Sequence, residues 1–313
     1  MSFEIREATP ADAAGIRELV GRVFGAAMPE EEWRWKFERN PDGWRGVVGV
    51  ADGRIVGNYA GWGLRFLLDG EPALLYSVGD VATDPSARAL GGRRGVFRAM
   101  AEAFFDGVAE SVPFCFGFPG ARHRLVSERI VGSRTLFPVR LREVAADAFG
   151  PPPPDVEAGE FPPESFDPFW ETARSRLSHA AVRDRARVNW RFHGRPTRYY
   201  RMVWRIQSGA MVSWAALCVD GDAATVVDFL SSEPDGGDLL RLFAGAGEEA
   251  RRLGARRLIF WETPGGPGRS VIAALPGESR DAGFPMIARV FDAAAVGRFA
   301  ERLQLVPSLY DLV

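Results

Sequence analysis

The sequence predicts an α/β fold built from two copies of one structural unit. The chain has 313 residues, the length of two domains at roughly 150 residues each. Residues 148–165 are rich in proline and acidic residues, so we expect an extended linker there. Matching series of aromatic residues, strands and amphipathic helices occur on both sides of it. We therefore predict domains at residues 1–147 and 166–313.

The first copy reads as strand, helix, helix, three strands, helix, strand, helix and strand. Residues 9–12 combine a capping threonine, a proline and an aspartate, which is typical of a helix start. The Asp-Gly turn at residues 52–53 predicts a hairpin. A strand with Asp80 at its centre follows. The apolar spacing after Val96 then predicts an amphipathic helix.

The second copy repeats this order. The series Trp35–Phe37 recurs as Trp190–Phe192 at an offset of 155 residues, and each is followed by a proline at the same spacing. Asp228 takes the place of Asp80 in the corresponding strand. Because the aromatic residues recur, we predict that they belong to the core, together with the neighbouring Tyr199.

The copies differ in the loop before the amphipathic helix. The first loop, residues 86–95, is long and rich in glycine and arginine, whereas the second, residues 235–238, is short and holds two aspartates. Glycine amides, a helix N-terminus and arginine forks suit phosphate oxygens, and aspartates repel them. The pattern favours a phosphorylated cofactor on the first copy alone, although an ordinary solvated turn has the same composition.

Composition excludes several classes of function. The 39 basic and 41 acidic residues nearly cancel, which disfavours a generic DNA or RNA binder. Only Lys36 is a lysine, and this bias towards arginine is typical of a GC-rich bacterial genome. We expect a cytoplasmic protein with no membrane partner, because neither a signal peptide nor an apolar span of membrane length is evident. Cys115 and Cys218 are expected to be buried, and the three scattered histidines predict no metal site.

Ten arginines and one acid lie between residues 174 and 205. One interpretation is a solvated helix face that the acidic linker compensates. The other is a basic wall for an anionic acceptor, such as a sugar nucleotide, a peptide carboxylate or a tRNA end.

The first half resembles the GNAT N-acetyltransferase superfamily. The resemblance lies in residues 5–12, in the strand Val78–Thr83, in the loop that leads into Gly95, and in the turn Phe116–Pro119. The family's motif [RQ]-x-x-G-x-[GA] is matched imperfectly, because Gly92 stands where its arginine or glutamine belongs. The second half resembles a degenerate second unit of a tandem GNAT protein.

This resemblance implies two tandem units, each with a mixed, mostly antiparallel twisted sheet flanked by helices. It also implies an acyl-CoA-dependent N-acyltransferase, most often an acetyltransferase, that modifies a primary amine of a small molecule or peptide, anionic ones included. Acetyl-CoA or another acyl-CoA would lie between the fourth and fifth strands. The implied binding residues are Val81, Ala82, Thr83, Arg88, Gly91, Gly92, Arg93, Arg94, Gly95 and Val96.

Direct attack by an amine needs a proton acceptor and an acid for the departing thiolate. Asp80 is the candidate base, and its alternative role is an ion pair with an arginine. The tyrosine that many relatives carry on the helix after the fifth strand is absent. His123 is the candidate acid in its place, with Arg124, Ser127 or protonation by water as alternatives.

Two other functions fit the same residues. A sensor or assembly module would bind CoA or acyl-CoA without turnover, as the missing tyrosine suggests. A transferase that uses aminoacyl-tRNA would not need the glycine- and arginine-rich loop, and its binding would weaken steeply with salt.

Overall fold

The computed structural model describes residues 2–88, 90, 92, 95–161, 163–233, 236–266 and 268–310. The chain forms two compact units. Unit 1 comprises Met1–Arg65, Leu74–Phe137 and Pro285–Val296, and unit 2 comprises Phe66–Ala73, Pro138–Phe284 and Gly297–Val313.

The first half of the chain has the predicted order of elements. Their bounds are β1 (Glu4–Glu7), α1 (Ala13–Phe24), α2 (Glu30–Trp33), β2 (Trp44–Ala51), β3 (Arg54–Leu68), β4 (Glu71–Thr83), α3 (Val96–Val108), β5 (Phe114–Gly117), α4 (Ala121–Val131) and β6 (Arg134–Ala145). Asp12 accepts a hydrogen bond from the Thr9 backbone amide (2.8 Å) and a bidentate pair from Arg6 (2.7 and 2.8 Å), which fixes the start of the first helical segment.

The second half repeats the order with two additional elements, a short strand (His179–Ala181) and a last helix (Ala293–Arg302). Its bounds are β7 (Val156–Gly159), α5 (Phe166–Arg174), β8 (His179–Ala181), α6 (Arg185–Val188), β9 (Tyr200–Gln207), β10 (Ala210–Asp220), β11 (Ala223–Ser231), α7 (Gly236–Arg252), β12 (Arg257–Trp261), α8 (Arg269–Ala274), β13 (Glu278–Val290) and α9 (Ala293–Arg302). The fold class is therefore the predicted one, with mixed and mostly antiparallel strand pairing.

The sheet of unit 1 has the strand order β1-β2-β3-β4-β5-β13. Successive side chains of β3 alternate between its faces. Tyr59 packs among α3 residues such as Met100 and Phe104, and Ala60 packs with Ile16 of α1 on the other face. Both faces of the sheet are thus covered by helices.

The compact units differ from the predicted domains of 1–147 and 166–313. The C-terminal part of β13 pairs with β5 in unit 1, and the C-terminal part of β6 pairs with β12 in unit 2. Each sheet is therefore completed by the last strand of the other half of the chain. The predicted domain boundary rests on local composition, which carries no information about pairing between strands that are distant in the sequence.

Part of the predicted linker is ordered as a strand. In β7, Val156 to Gly159 pair with β9, and Asp155 forms an ion pair with Arg205 of β9 at 2.6 Å. Asp155 is one of the acidic residues on which the prediction of an extended linker rests. Its ion pair with Arg205 attaches this segment to β9.

The internal repeat is reproduced at the level of the backbone. Residues 34–38 and 189–193 each form a π-helical turn, at the predicted offset of 155 residues. The aromatic residues of both turns are buried, which confirms their assignment to the core. Tyr199 is the exception, because 58% of its surface is exposed.

Several arginines of the arginine-rich segment form buried or half-buried ion pairs. Arg183 and Arg205 are buried and bind Asp228 and Asp155, while Arg201 binds Glu249. The prediction that acidic residues compensate the charge of these arginines is confirmed. The prediction of a solvated helix face is wrong for the arginines that are buried. The pairing also weighs against a basic wall for an anionic acceptor.

Other predictions concern single residues and classes of site. Cys115 and Cys218 are buried and unbridged as expected, and burial raises the pKa of both thiols. Within the described ranges, no helix is both long and apolar enough to span a membrane. The same residues contain no cluster of three or more histidine, cysteine or acidic side chains suited to a metal ion.

Candidate functional site

Unit 1 has an opening between β4 and β5. The described ladder of these parallel strands consists of two pairs, Tyr76 with Cys115 and Ser77 with Phe116. β5 ends at Gly117, whereas β4 continues to Thr83 and is held to β3 by a hydrogen bond from the Asp84 amide to the Val56 carbonyl (2.8 Å). Beyond Ser77 the two strands therefore have no described pairing, and Val78–Thr83 borders the opening that this leaves.

Asp80 lies within this part of β4 in an unusual conformation. Its φ of 51° is in the left-handed region, which few residues other than glycine adopt inside a strand. The carboxamide of the fully buried Asn58 donates to the Asp80 carbonyl at 2.8 Å. The backbone is thus held in a strained conformation of the kind that clusters at functional sites.

The Asp80 carboxylate forms an ion pair with Lys36. Lys36 Nζ lies 2.5 Å from Asp80 Oδ2, and the two side chains are 4% and 15% exposed. Lys36 is placed by the π-helical turn at residues 34–38. The predicted alternative of an ion pair is therefore realised, with the sole lysine of the chain instead of an arginine.

The residues proposed to hold acyl-CoA occupy two neighbouring segments. Val81 and Thr83 are partly exposed on β4, and the Ala82 side chain is buried. Thr83 Oγ1 is buried with no hydrogen-bond partner in the described part of the chain. A strand edge with an unpaired hydroxyl fits an extended polar arm such as pantetheine.

The glycine- and arginine-rich loop leads into α3. Gly95 precedes the helix with an extended backbone (φ −57°, ψ 162°), and Gly92 has a φ of 56°, which suits glycine. Arg88 is exposed, and the Val96 side chain is buried against β2 and β3, so only its backbone faces the loop. Gly91, Arg93 and Arg94 lie outside the described residues. The N-terminus of α3 nevertheless supplies the partial positive charge that favours a phosphate.

His123 lies in the first turn of α4. Its ring packs edge-on against Phe97 of α3, with 6.0 Å between the ring centroids, and burial lowers its pKa. The described contacts of His123 do not include Asp80 or Lys36. The proposed role of His123 as an acid stays a prediction. The contact that is described for its ring is a packing contact with Phe97.

The matching position in unit 2 is arranged differently. Asp228 is buried and accepts hydrogen bonds from Arg183 Nε and Ser308 Oγ, each at 2.8 Å. Arg191, which matches Lys36 in the repeat, donates to the carbonyls of Ser308 and Tyr310 (3.1 and 3.0 Å). Asp228 and Arg191 thus both contact residues 308–310.

Residues 304–309 fill the corresponding opening of unit 2. They are buried, and they lie between the end of β11 and the residues that follow β12. Gln304 Nε2 donates to the Phe229 carbonyl of β11 (3.2 Å), and the Leu305 amide donates to Thr263 Oγ1 (2.8 Å). Phe229 is the counterpart of Val81. The protein itself therefore occupies in unit 2 the place proposed for acyl-CoA in unit 1.

Comparisons with known proteins agree with this geometry. The family model of the acetyltransferase (GNAT) domain matches residues 4–126. A sequence comparison with the curated proteins finds no match.

Solved structures extend the likeness over both halves of the chain. A protein of unknown function from Enterococcus faecalis, described as a probable N-acyltransferase, is 12% identical with a TM-score of 0.71, covering 94% of this chain and 74% of that one. A tandem GNAT protein from the clavulanic acid biosynthesis pathway is 15% identical with a TM-score of 0.58, covering 93% and 99%. An N-myristoyltransferase from Saccharomyces cerevisiae with bound myristoyl-CoA is 9% identical with a TM-score of 0.57, covering 92% and 82%. Residues 4–126 therefore match the acetyltransferase (GNAT) domain, and the chain as a whole has a fold similar to that of tandem GNAT structures.

Proposed function

We propose that this protein is an acyl-CoA-dependent N-acyltransferase with one acyl-CoA site, in the opening between β4 and β5 of unit 1. The acceptor is a primary amine of a small molecule or peptide, and acetyl-CoA is the proposed donor. The observation that carries this proposal is the contrast between the two copies. Unit 2 fills its opening with residues 304–309, whereas in unit 1 no described hydrogen bond joins Val81–Thr83 to β5 or to the turn after it.

The residues that border the opening suit the two parts of CoA. Val81 and Thr83 present strand backbone, with which an extended pantetheine arm pairs like an added strand. The N-terminus of α3 and the loop before it favour the pyrophosphate, because unpaired helix amides and arginine side chains both attract anions. When bound, acyl-CoA supplies the activated acyl carbon.

Asp80 is the proposed proton acceptor. Its side chain is only 15% exposed. The residue has a left-handed backbone and lies in the part of β4 beyond the described pairing with β5. An amine attacks only in its neutral form, and it must lose a proton as the new N–C bond forms. A carboxylate held at this position by Lys36 can take that proton.

The test is release of free thiol from acetyl-CoA in the presence of a panel of primary amines that differ in charge. The proposal predicts thiol release that depends on at least one amine, with the product heavier by one acetyl group in mass spectrometry. The Asp80→Asn variant should lose roughly 10²- to 10⁴-fold in kcat, the range typical of a lost general base.

Two results would contradict this proposal in different ways. Failure to bind CoA or acetyl-CoA in calorimetry rules out the site itself. Binding without thiol release across the amine panel supports a sensor or assembly module instead. Asp52→Asn is a suitable control, because Asp52 lies in the exposed β2–β3 turn with a positive φ similar to that of Asp80.

A further inference from the structure

Lys36 is chemically exceptional in this chain. Of 39 basic residues it is the sole lysine, and it lies at the candidate site. The matched position of the second copy, on the same π-helical turn, holds Arg191. The turn therefore accommodates arginine, so the fold alone does not explain the lysine.

An ammonium and a guanidinium differ in whether they can release a proton. Arginine stays protonated under essentially all conditions in proteins, whereas a buried lysine can lose its proton and so can act in proton transfer. Lys36 is buried, and its Nζ lies 2.5 Å from Asp80 Oδ2. If charge alone were required beside Asp80, arginine would serve, as Arg183 does beside Asp228.

Among the described residues of the site, none other than Lys36 is an evident acid for the departing thiolate. The first turns of α4 contain no tyrosine, and the edge of the His123 ring packs against Phe97. Lys36 is a proton donor that the described contacts do place beside the proposed base.

We propose that Lys36 is the general acid of the reaction and that it works with Asp80 as one proton-transfer unit. This inference rests on the proposed function. The neutral amine attacks the acyl carbon, and the proton that its nitrogen loses passes to the Asp80 carboxylate. The C–S bond breaks, and the CoA sulfur takes a proton from the Lys36 ammonium. The proton on Asp80 then passes across the 2.5 Å contact to Lys36 Nζ, which restores the starting ion pair.

The deciding experiment compares Lys36→Arg with the wild-type protein, with acetyl-CoA as donor and the fastest amine of the panel as acceptor. Lys36→Arg keeps the positive charge but replaces an ammonium that can give up a proton with a guanidinium that cannot. We expect kcat to fall roughly 10²-fold or more, because that is the usual contribution of a general acid. The affinity for CoA and the melting temperature should stay near the wild-type values.

Arg191→Lys is the matched control, because it makes the reverse exchange on the equivalent turn of unit 2. It should leave kcat unchanged. A Lys36→Arg protein with wild-type kcat would overturn the inference, since charge alone would then suffice. A parallel fall in CoA affinity and melting temperature would also overturn it, since Lys36 would then be a structural residue.

A second measurement covers the case in which Lys36→Arg fails to fold. Single-turnover thiol release by the wild-type protein should be slower in D₂O than in H₂O, because a proton reaches the sulfur as the C–S bond breaks. Equal rates in the two solvents would overturn the inference. A wild-type protein that binds no CoA, or releases no thiol, would instead defeat the proposed function on which the inference rests.

Discussion

Asp80 and Asp228 are matched residues with different surroundings. Asp80 is partly exposed beside a lysine at the edge of an opening, whereas Asp228 is buried between Arg183 and Ser308. The same aspartate therefore borders the candidate site in one copy and belongs to the core in the other.

The Asp228→Ala variant should be strongly destabilised. Removing the carboxylate leaves the Arg183 guanidinium, which is 1% exposed, without its charged partner. Breaking a buried ion pair in this way costs roughly 3–5 kcal/mol. Urea denaturation should show that loss, and the folded variant should bind CoA as tightly as the wild type.

Asp222→Ala provides the comparison, because Asp222 pairs with Arg256 and Arg257 at an exposed position. Exposed pairs of this kind contribute little to stability, because solvent screens the two charges. If Asp228→Ala lost no more stability than Asp222→Ala, the buried pair would have no structural importance.

Asp12 should make the stability of the protein depend on acid pH. Its hydrogen bonds with Arg6 lower the pKa of Asp12 to about 2, against burial, which raises it. A lowered folded-state pKa stabilises the fold above the ordinary pKa of an aspartate, near 4, and that contribution is lost as the pH falls towards 2. The Asp12→Asn variant should therefore melt below the wild type at pH 6, and the difference should shrink at pH 3. Thermal denaturation followed by circular dichroism measures both. A difference of equal size at the two pH values would contradict this account.

At the residue scale, the sequence indicated Asp80 as a candidate site residue, but it did not indicate that Lys36 is its partner. An aspartate at the centre of an otherwise apolar strand is conspicuous in the sequence. Lys36 is 44 positions away from Asp80 in the sequence. It lies on a π-helical turn that the local sequence pattern does not indicate. Asn58 was missed for a similar reason, because its bond to the Asp80 carbonyl depends on the left-handed backbone at that residue.

At the scale of elements, the repeated series was enough to predict the helices and strands of the first half and those at the centre of the second half. Hairpins at residues 52–53 and 208–209 and the amphipathic helices α3 and α7 follow from local patterns. Strand β7 was missed, because its pairing depends on the distant arginines of β9. The position of residues 304–309 was missed as well, since a short apolar segment carries no information about the strand it will contact.

At the scale of the whole molecule, duplication predicted two units of the GNAT fold but not how the chain is divided between them. Local sequence specifies where β6 and β13 begin and end, but not which neighbour each strand selects. The structure assigns the paired ends of both strands to the sheet of the other half. The two copies therefore share one architecture, and the acyl-CoA site that we propose lies in the first.

We propose that one chain holds one acyl-CoA site, in unit 1. Calorimetric titration of CoA into the wild type and into the Arg93→Ala/Arg94→Ala double variant tests this proposal, with Arg98→Ala on α3 as the control. We predict one site per chain and an affinity at least roughly tenfold weaker in the double variant, because hydrogen bonds to charged groups contribute about 1.5–3 kcal/mol each. Two sites per chain, or an unchanged affinity in the double variant, would contradict the claim.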